Sequence, residues 1–260
     1  MPRTVKSKIV SMYRLAVDAM GGDYGPEVTV PACINLLTTD PQVALIITGD
    51  HDTICSYLQD CDANARARIS VHHTTETVSM DEAPSAALRY KKDSSLRVAL
   101  DLLAANDVDA CVSAGNTGAL MATAKFVLKM VPGVIRPAIL VRLPTHTERI
   151  TRALDMGANV DSPAEQIVQF AAMGSILAKA IDGIASPTVG LLNVGEEEGK
   201  GSAVIKRAAE LLEQQPSINY IGFVEGNDWF SGKVDVVACD GLVGNIALKA
   251  VEGISTLIAG

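Results

Sequence analysis

No apolar run in this 260-residue sequence approaches the ~20 residues needed to span a bilayer. No membrane-spanning helix is therefore expected. A secretory signal is lacking too. The opening stretch MPRTVKSKIVSMYR carries basic residues without an adequate apolar segment behind them, and residues 1–12 read as a flexible leader. The five cysteines, at 33, 55, 61, 111 and 239, include no C-x-x-C pair. An odd, scattered set suits a reducing cytosol better than a disulfide framework, and Cys111 and Cys239 fall in apolar strand patterns where they read as core. Positive charge is in short supply, with 22 basic against 30 acidic residues and a net charge of −8. A global attraction to nucleic acid or to an anionic membrane is not expected, so any anionic partner has to be met by a local basic patch. Several signatures of chemistry are also missing. There is no G-x-G-x-x-G and no Walker phosphate loop, no G-x-S-x-G elbow, and neither H-E-x-x-H nor a Cys/His cluster at metal-ligand spacing. Neither a cofactor nor a metal is expected. The four histidines, 51, 72, 73 and 146, read as lying away from the loops described below, His146 being the one that could approach them. His72-His73 reads as a strand end.

What is present is alternation. Short apolar runs predict strands over 15–18, 43–48, 69–72, 109–113, 138–143, 153–156, 189–194, 219–224 and 234–240. Longer helical patterns predict helices over 26–37, 53–58, 85–91, 96–105, 117–130, 163–181, 202–214 and 243–258. Pro26 and Pro163 suit first-turn positions, where a missing N–H costs nothing, with Ser162 as the N-cap before the second. Such alternation argues for a three-layer α/β/α arrangement, a mostly parallel sheet with helices on both faces. No linker, repeat or low-complexity segment divides the chain, so 13–260 reads as a single α/β catalytic domain. The sequence stops while VEGISTLIAG is still helical in pattern, and a final section is expected to be absent.

In open α/β sheets ligands bind beyond the carboxyl ends of the strands. There the sequence is polar and glycine-rich: DAMGGDYGPE, SAGNTGA, DMGANVD, NVGEEEGKG, VEGND and CDGLVGN. Glycine lets backbone approach a ligand closely, and successive N–H groups at a helix start attract anions. Asn116 and Thr117, in NTG before a helix, read as neutral donors. Lys200, flanked by Gly199 and Gly201 after three carboxylates, reads either as part of a solvated charge run or as a cation aimed into the rim, with Glu196 and Glu197 able to orient it. Asn245 is a second neutral donor near a helix start. Asp18, Asp155 and Asp240 each end an apolar run, where a buried carboxylate needs donors; they read as braces for loop N–H groups. Arg89, Lys91, Lys92 and Arg97, in LRYKKDSSLR, form a basic cluster that is either a solvated helix end or a docking patch for an acidic protein or a phosphate. With no protein nucleophile in view, the nucleophile of any reaction is expected to come from the substrate. Phosphate suits that role, because the protein then only positions it and stabilises developing charge.

Eight blocks, AVDAMGGDYGPE, DEAPSAALRYKKDSSLRVAL, SAGNTGALMA, RPAI, LDMGANVDSPAEQIVQFAAMGS, VGLLNVGEEEGKG, FVEGND and DVVACDGLVGNIALK, in order and at sensible spacing from Leu15 to Gly260, resemble the PlsX phosphate acyltransferases. The resemblance implies the fold of phosphotransacetylases and isocitrate or isopropylmalate dehydrogenases. It also implies transfer of a long-chain acyl group from acyl carrier protein to inorganic phosphate, giving an acyl phosphate for phospholipid synthesis. A cytoplasmic homodimer, able to associate peripherally with the inner face of the membrane, goes with it. Carried onto this sequence, it makes Lys200, Asn245 and Asn116 catalytic. Substrate and phosphate binding fall to Asp18, Gly21, Gly22 and Asp23 in the first loop; to Ser113, Gly115, Thr117 and Gly118 in the second; and to Asn159, Glu197, Gly201, Asp240, Gly241 and Gly244 in the later ones. Arg89, Lys91 and Lys92 would dock the carrier. The sequence departs from the family pattern at Gly199, Ser202 and Ala203, and in its longer leader. The alternatives are a short-chain phosphotransacetylase using acyl-CoA and a non-catalytic lipid-synthesis scaffold.

Overall fold

A computed structural model describes residues 12–197 and 199–259. Apart from Met12, the leader read over 1–12 lies outside the described residues. By contacts the chain divides into two compact units, Met1–Lys129 and Met130–Gly260, where the sequence reading took 13–260 as one domain. Each is described by itself.

The first unit carries β1 (Tyr13–Asp18), β2 (Val43–Gly49), β3 (Ile69–His73) and β4 (Ala110–Ser113), in the order β3-β2-β1-β4 and all parallel. Its helices are α1 (Pro26–Thr39), α2 (His51–Tyr57), α3 (Ala63–Arg66), α4 (Pro84–Tyr90), α5 (Ser95–Ala104) and α6 (Thr117–Leu128). Side chains alternate across a strand. Leu45 and Ile47 accordingly bury against Val30, Cys33 and Leu37 of α1, while Ala16 meets Ala99 of α5. Helices therefore cover both faces, as the pattern predicts. The one-turn helix α3 escapes the periodicity because it is held locally: Asp62 accepts from the N–H groups of Asn64 and Ala65. His51 and His73 lie at the carboxyl ends of β2 and of the edge strand β3, with the His51 N–H donating to His73 Nδ1 at 3.1 Å. That is nearer the carboxyl edge than the sequence suggests.

The second unit carries β5 (Leu140–Pro144), β6 (Ile150–Leu154), β7 (Thr188–Leu192), β8 (Asn219–Val224) and β9 (Val236–Ala238), with α7 (Ala164–Asp182), α8 (Ala203–Glu213), a 3₁₀ turn (Gly226–Phe230) and α9 (Gly241–Ala259). The strand order is β5-β6-β9-β7-β8, parallel except for the antiparallel pair β5–β6. Ile167 and Phe170 of α7 and Leu212 of α8 pack with Leu191 and Val236 on one face; Trp229 and Val237 build the other. Strand β6 starts earlier than the sequence reading because its polar residues are buried with partners. Thr151 donates to the Val234 carbonyl, and Arg152 pairs with Asp182. The N-cap of α7 is Pro163, without a side-chain cap bond, so Ser162 does not serve as the cap. His146 sits in the β5–β6 hairpin, its N–H donating to the Phe230 carbonyl. This is the amino end of β6, the opposite end from the glycine-rich loops. The expectation that no segment could span a bilayer is also corrected. Helix α9 is long and apolar enough by length and composition, and little buried; Lys249 and Glu252 interrupt what would otherwise read as one apolar run.

Candidate active site

At the carboxyl edge of the first sheet the loops after β1 and β4 are tied together. Asp18 is 2% exposed. Its Oδ2 accepts from Ser113 Oγ at 2.7 Å and its Oδ1 from the Met20 N–H at 3.2 Å; Ser113 Oγ accepts in turn from the Gly115 N–H. A Cβ on Gly21 would lie 2.7 Å from Asp18 Oδ2 and 2.8 Å from the Gly115 nitrogen. Only glycine lets these two loops touch. Gly22 follows with φ +90°, and Asp23 is exposed.

Asn116 has a different role from the one the sequence suggests. It is the N-cap of α6, its Oδ1 accepting from the Ala119 N–H at 3.0 Å. Its Nδ2 donates to the carbonyls of Ser79, Met80 and Glu82 at 3.2, 3.0 and 2.9 Å. With the amide committed to fixing the 79–82 loop, Asn116 is a positioning residue and not a free oxyanion donor. The donors left at this helix start are the backbone N–H groups around Thr117 and Gly118, both exposed. Asn116→Ala removes the cap and strands three carbonyls. It is expected to cost about 1–3 kcal/mol, read as a lower denaturation midpoint, with Asn116→Asp intermediate because it keeps the cap acceptor.

In the second unit the brace is Asp155, fully buried. Oδ1 accepts from the N–H groups of Ile139 and Ala158, and Oδ2 from the N–H and Nδ2 of Asn159, all at 2.8–2.9 Å. Asn159 Nδ2 also reaches the Pro137 carbonyl, so this amide too is spent on the loop. Gly241 and Gly244, at the start of α9, press on the backbone of Asn159 and Asp155 so closely that no Cβ fits at either. Asp240 Oδ1 accepts from the Val243 N–H. Asn245 is exposed and lies against Gly157, where a Cβ would stand 3.1 Å from its Oδ1.

The lysine loop is pinned at both ends by Asn193, a residue the sequence reading passed over although it closes the apolar run of β7. Its Nδ2 donates to the carbonyls of Gly195 and Lys200 at 3.1 and 3.3 Å, and Gly201 packs on that amide with φ +92°. Ser202, a departure from the family pattern, caps α8 by accepting from the Ile205 N–H. Lys200 Nζ lies 2.8 Å from Glu197 Oε2. The hydrogen bond and charge of Glu197 raise the lysine pKa and lower that of the carboxyl, so Lys200 is cationic at neutral pH. Glu196 pairs with Lys233 instead. A cleft of about 400 Å³ opens beside this loop, lined by Val160, Asp161, Ser162 and Pro163, by Ser202, Val204 and Ile205, and by Asp240 and Leu242. The N-terminal ends of α7, α8 and α9 thus border one cavity, where the positive ends of three helix dipoles favour an anion; the Ile205 and Val243 N–H groups are taken by Ser202 and Asp240, and Asp161 and Asp240 put negative charge on its wall. Of the residues read from sequence, Asp240 lines the cleft. Lys200 and Asn245 flank it in the chain.

Cysteine is not available as a nucleophile near these loops. Burial pushes the Cys111 thiol up to about 11, helped by Asp18. Burial, with Asp240 and Asp155 adding to it, pushes Cys239 higher still.

A family model described as "Fatty acid synthesis protein" matches residues 13–259. A phosphate acyltransferase of Methylococcus capsulatus is 54% identical over 95% of this chain and 73% of its own length. One of Coxiella burnetii is 54% identical over 94% and 71%. Among solved structures, the EutD phosphotransacetylase of Staphylococcus aureus superposes with a TM-score of 0.66 at 17% identity, covering 95% of this chain and 84% of that one. A branched-chain phosphotransacylase of Enterococcus faecalis gives 0.61 at 12%, over 93% and 84%. The structural likenesses speak for the α/β fold; on the sequence matches, the chain belongs to the PlsX phosphate acyltransferase family of fatty acid synthesis proteins and is an acyltransferase.

Proposed function

We propose that the enzyme transfers a long-chain acyl group from acyl carrier protein to inorganic phosphate, releasing an acyl phosphate for phospholipid synthesis. The observation that carries this reading is the Lys200 ammonium, kept charged by Glu197 on a pinned glycine loop beside a cleft edged by three helix starts. Phosphate binds there. One of its oxygens attacks the thioester carbonyl carbon, the C–O bond forms, and the tetrahedral intermediate expels the carrier thiolate as the C–S bond breaks. Lys200 and the exposed amide of Asn245 offset charge on the phosphate and the developing oxyanion. No acyl-enzyme intervenes. The test is acyl phosphate formation, trapped with hydroxylamine, from long-chain acyl carrier protein and from acyl-CoA, each with and without phosphate. Turnover with acyl-CoA alone would assign the short-chain reading, and binding without turnover the scaffold reading.

An apolar groove in the first unit supports a long-chain substrate. About 210 Å³ in volume, it is lined by Leu15, Val17, Ala32, Cys33, Leu36 and Val112, with Asp18 and Thr29 also in its wall. Burying methylenes there contributes about 0.8 kcal/mol each. Val112→Trp is expected to lower kcat/KM for long acyl chains about tenfold or more while sparing short ones, since each lost methylene contact is worth a few-fold; a uniform change across chain lengths would remove the groove from the account. Cytoplasmic location, a homodimer and peripheral membrane association complete the proposal. The exposed apolar residues of α9, among them Ile246, Ile254, Leu257 and Ile258, support the last, and vesicle co-sedimentation tests it.

A further inference from the structure

The peptide unit that leads into Lys200 is held from both sides. The Lys200 N–H donates to the Glu197 carbonyl at 3.0 Å. At the other end of the same unit, the Gly199 carbonyl accepts from Lys206 Nζ at 2.7 Å. A peptide is planar, so these two bonds together fix its orientation. Gly199 has no side chain to do the same. Among the described residues, a Cβ there would meet nothing within 4 Å, and glycine leaves the backbone more freedom than any other residue. The hold on this peptide therefore comes from outside the loop.

Lys206 is the fourth residue of α8, whose amino end is already capped by Ser202. A cation near this end opposes the helix dipole, so helix stability does not account for it. Direction does. Side chains on a helix lean toward its N-terminus, which carries the Lys206 stem back over the first turn to the loop before it. Lys233 reaches the same loop in a different way. It pairs with the Glu196 carboxylate at 2.5 Å, both side chains about half exposed. Such a pair contributes little and holds no peptide.

We propose that Lys206 is a positioning residue for acyl transfer: it holds the Gly199 carbonyl so that the Lys200 ammonium stays aimed at the bound phosphate. The inference rests on the assignment of Lys200 above and adds what keeps that cation in place. Lys206 acts through the peptide and not on the reacting atoms. A displacement of about 1 Å at a reacting centre can cost on the order of 10²-fold in rate, whereas a hydrogen bond made at the surface adds little to stability. Rate and fold should therefore separate.

The test is a double-mutant cycle, read as kcat for acyl phosphate formation by the full chain. Lys206→Met keeps an apolar stem and removes the donor. It is expected to lower kcat about tenfold, with KM for the acyl donor and the thermal midpoint near parental values. Lys206→Arg, which keeps a cationic donor, should retain most of the rate. In the Lys200→Ala background Lys206→Met should cost nothing further, because the group it aims is gone. Lys233→Met removes the same charge beside the same loop and should stay within about twofold of parental. Parental kcat in Lys206→Met overturns this inference alone. So does a further loss on top of Lys200→Ala, which would give Lys206 a role independent of Lys200. An equal loss in Lys233→Met would assign the effect to net charge, and an equal loss in Lys206→Arg would assign it to packing; either overturns the proposal. Near-parental kcat in Lys200→Ala fails the reading beneath, and this inference with it.

Discussion

Lys200→Ala is expected to lower kcat about 10²–10³-fold, the cost of one oxyanion-stabilising donor, while the thermal midpoint stays near the parental value. Lys200 is half exposed, and its ammonium pairs with Glu197, a contact separate from the bonds that anchor the loop. Those anchors are the Asn193 bonds to Gly195 and Lys200 carbonyls and the Ser202 cap, none of which uses the ammonium. Loss of rate with an intact fold is therefore the signature. The pH profile carries a second one. Glu197 raises the lysine pKa. The cationic form is present below that pKa and is lost as pH rises through it. Glu197→Gln should accordingly bring the alkaline limb of the kcat profile to lower pH, and a limb that does not move would show that it reports another group.

The largest stability effect is expected at Asp155. Four donors converge on its carboxylate, three of them backbone N–H groups, and it is fully buried. Asp155→Ala leaves those donors without partners in a region where water does not reach. Each orphaned group costs about 1–3 kcal/mol, so the variant is expected to lose more than about 3 kcal/mol and roughly 10 °C in Tm. Asp155→Asn replaces one acceptor by a donor that would face the Asn159 N–H, and should recover only part of the loss. Calorimetry of both variants checks this. Parental stability in Asp155→Ala would mean that the loop between β6 and α7, which borders the cleft, is held by something other than this carboxylate.

Much of the fold was legible because its signal is local. The strand over 219–224 matches β8 end to end, and the helical periodicity from Thr117 gives α6 to within two residues of its end. Burial of polar residues hid the rest. Thr151 and Arg152 break an apolar pattern, yet β6 runs through them because each finds a partner distant in sequence. The β5–β6 hairpin is antiparallel within an otherwise parallel sheet, and no residue spacing announces that direction. The site was legible at the level of loops and less so at the level of roles. Asp18, Asp155 and Asp240 do brace N–H groups, as a carboxylate ending an apolar run should. Asn116 and Asn159, read as ligands, are spent on carbonyls and a carboxylate, because an amide beside a tight glycine turn has nearer partners than a substrate. Asn193 was missed for the mirror-image reason: its two acceptors, Gly195 and Lys200, are carbonyls that only the folded loop brings to it.

The central claim is that phosphate, bound beside Lys200, is itself the nucleophile. The direct measurement is simultaneous recording of carrier-thiol release and hydroxylamine-trapped acyl phosphate as phosphate is varied, in the parental enzyme and in Lys200→Ala. The account predicts no thiol release without phosphate, equal yields of thiol and acyl phosphate with it, and both rates down about 10²-fold or more in the variant. A burst of thiol release in the absence of phosphate, or near-parental acyl phosphate formation by Lys200→Ala, would contradict it.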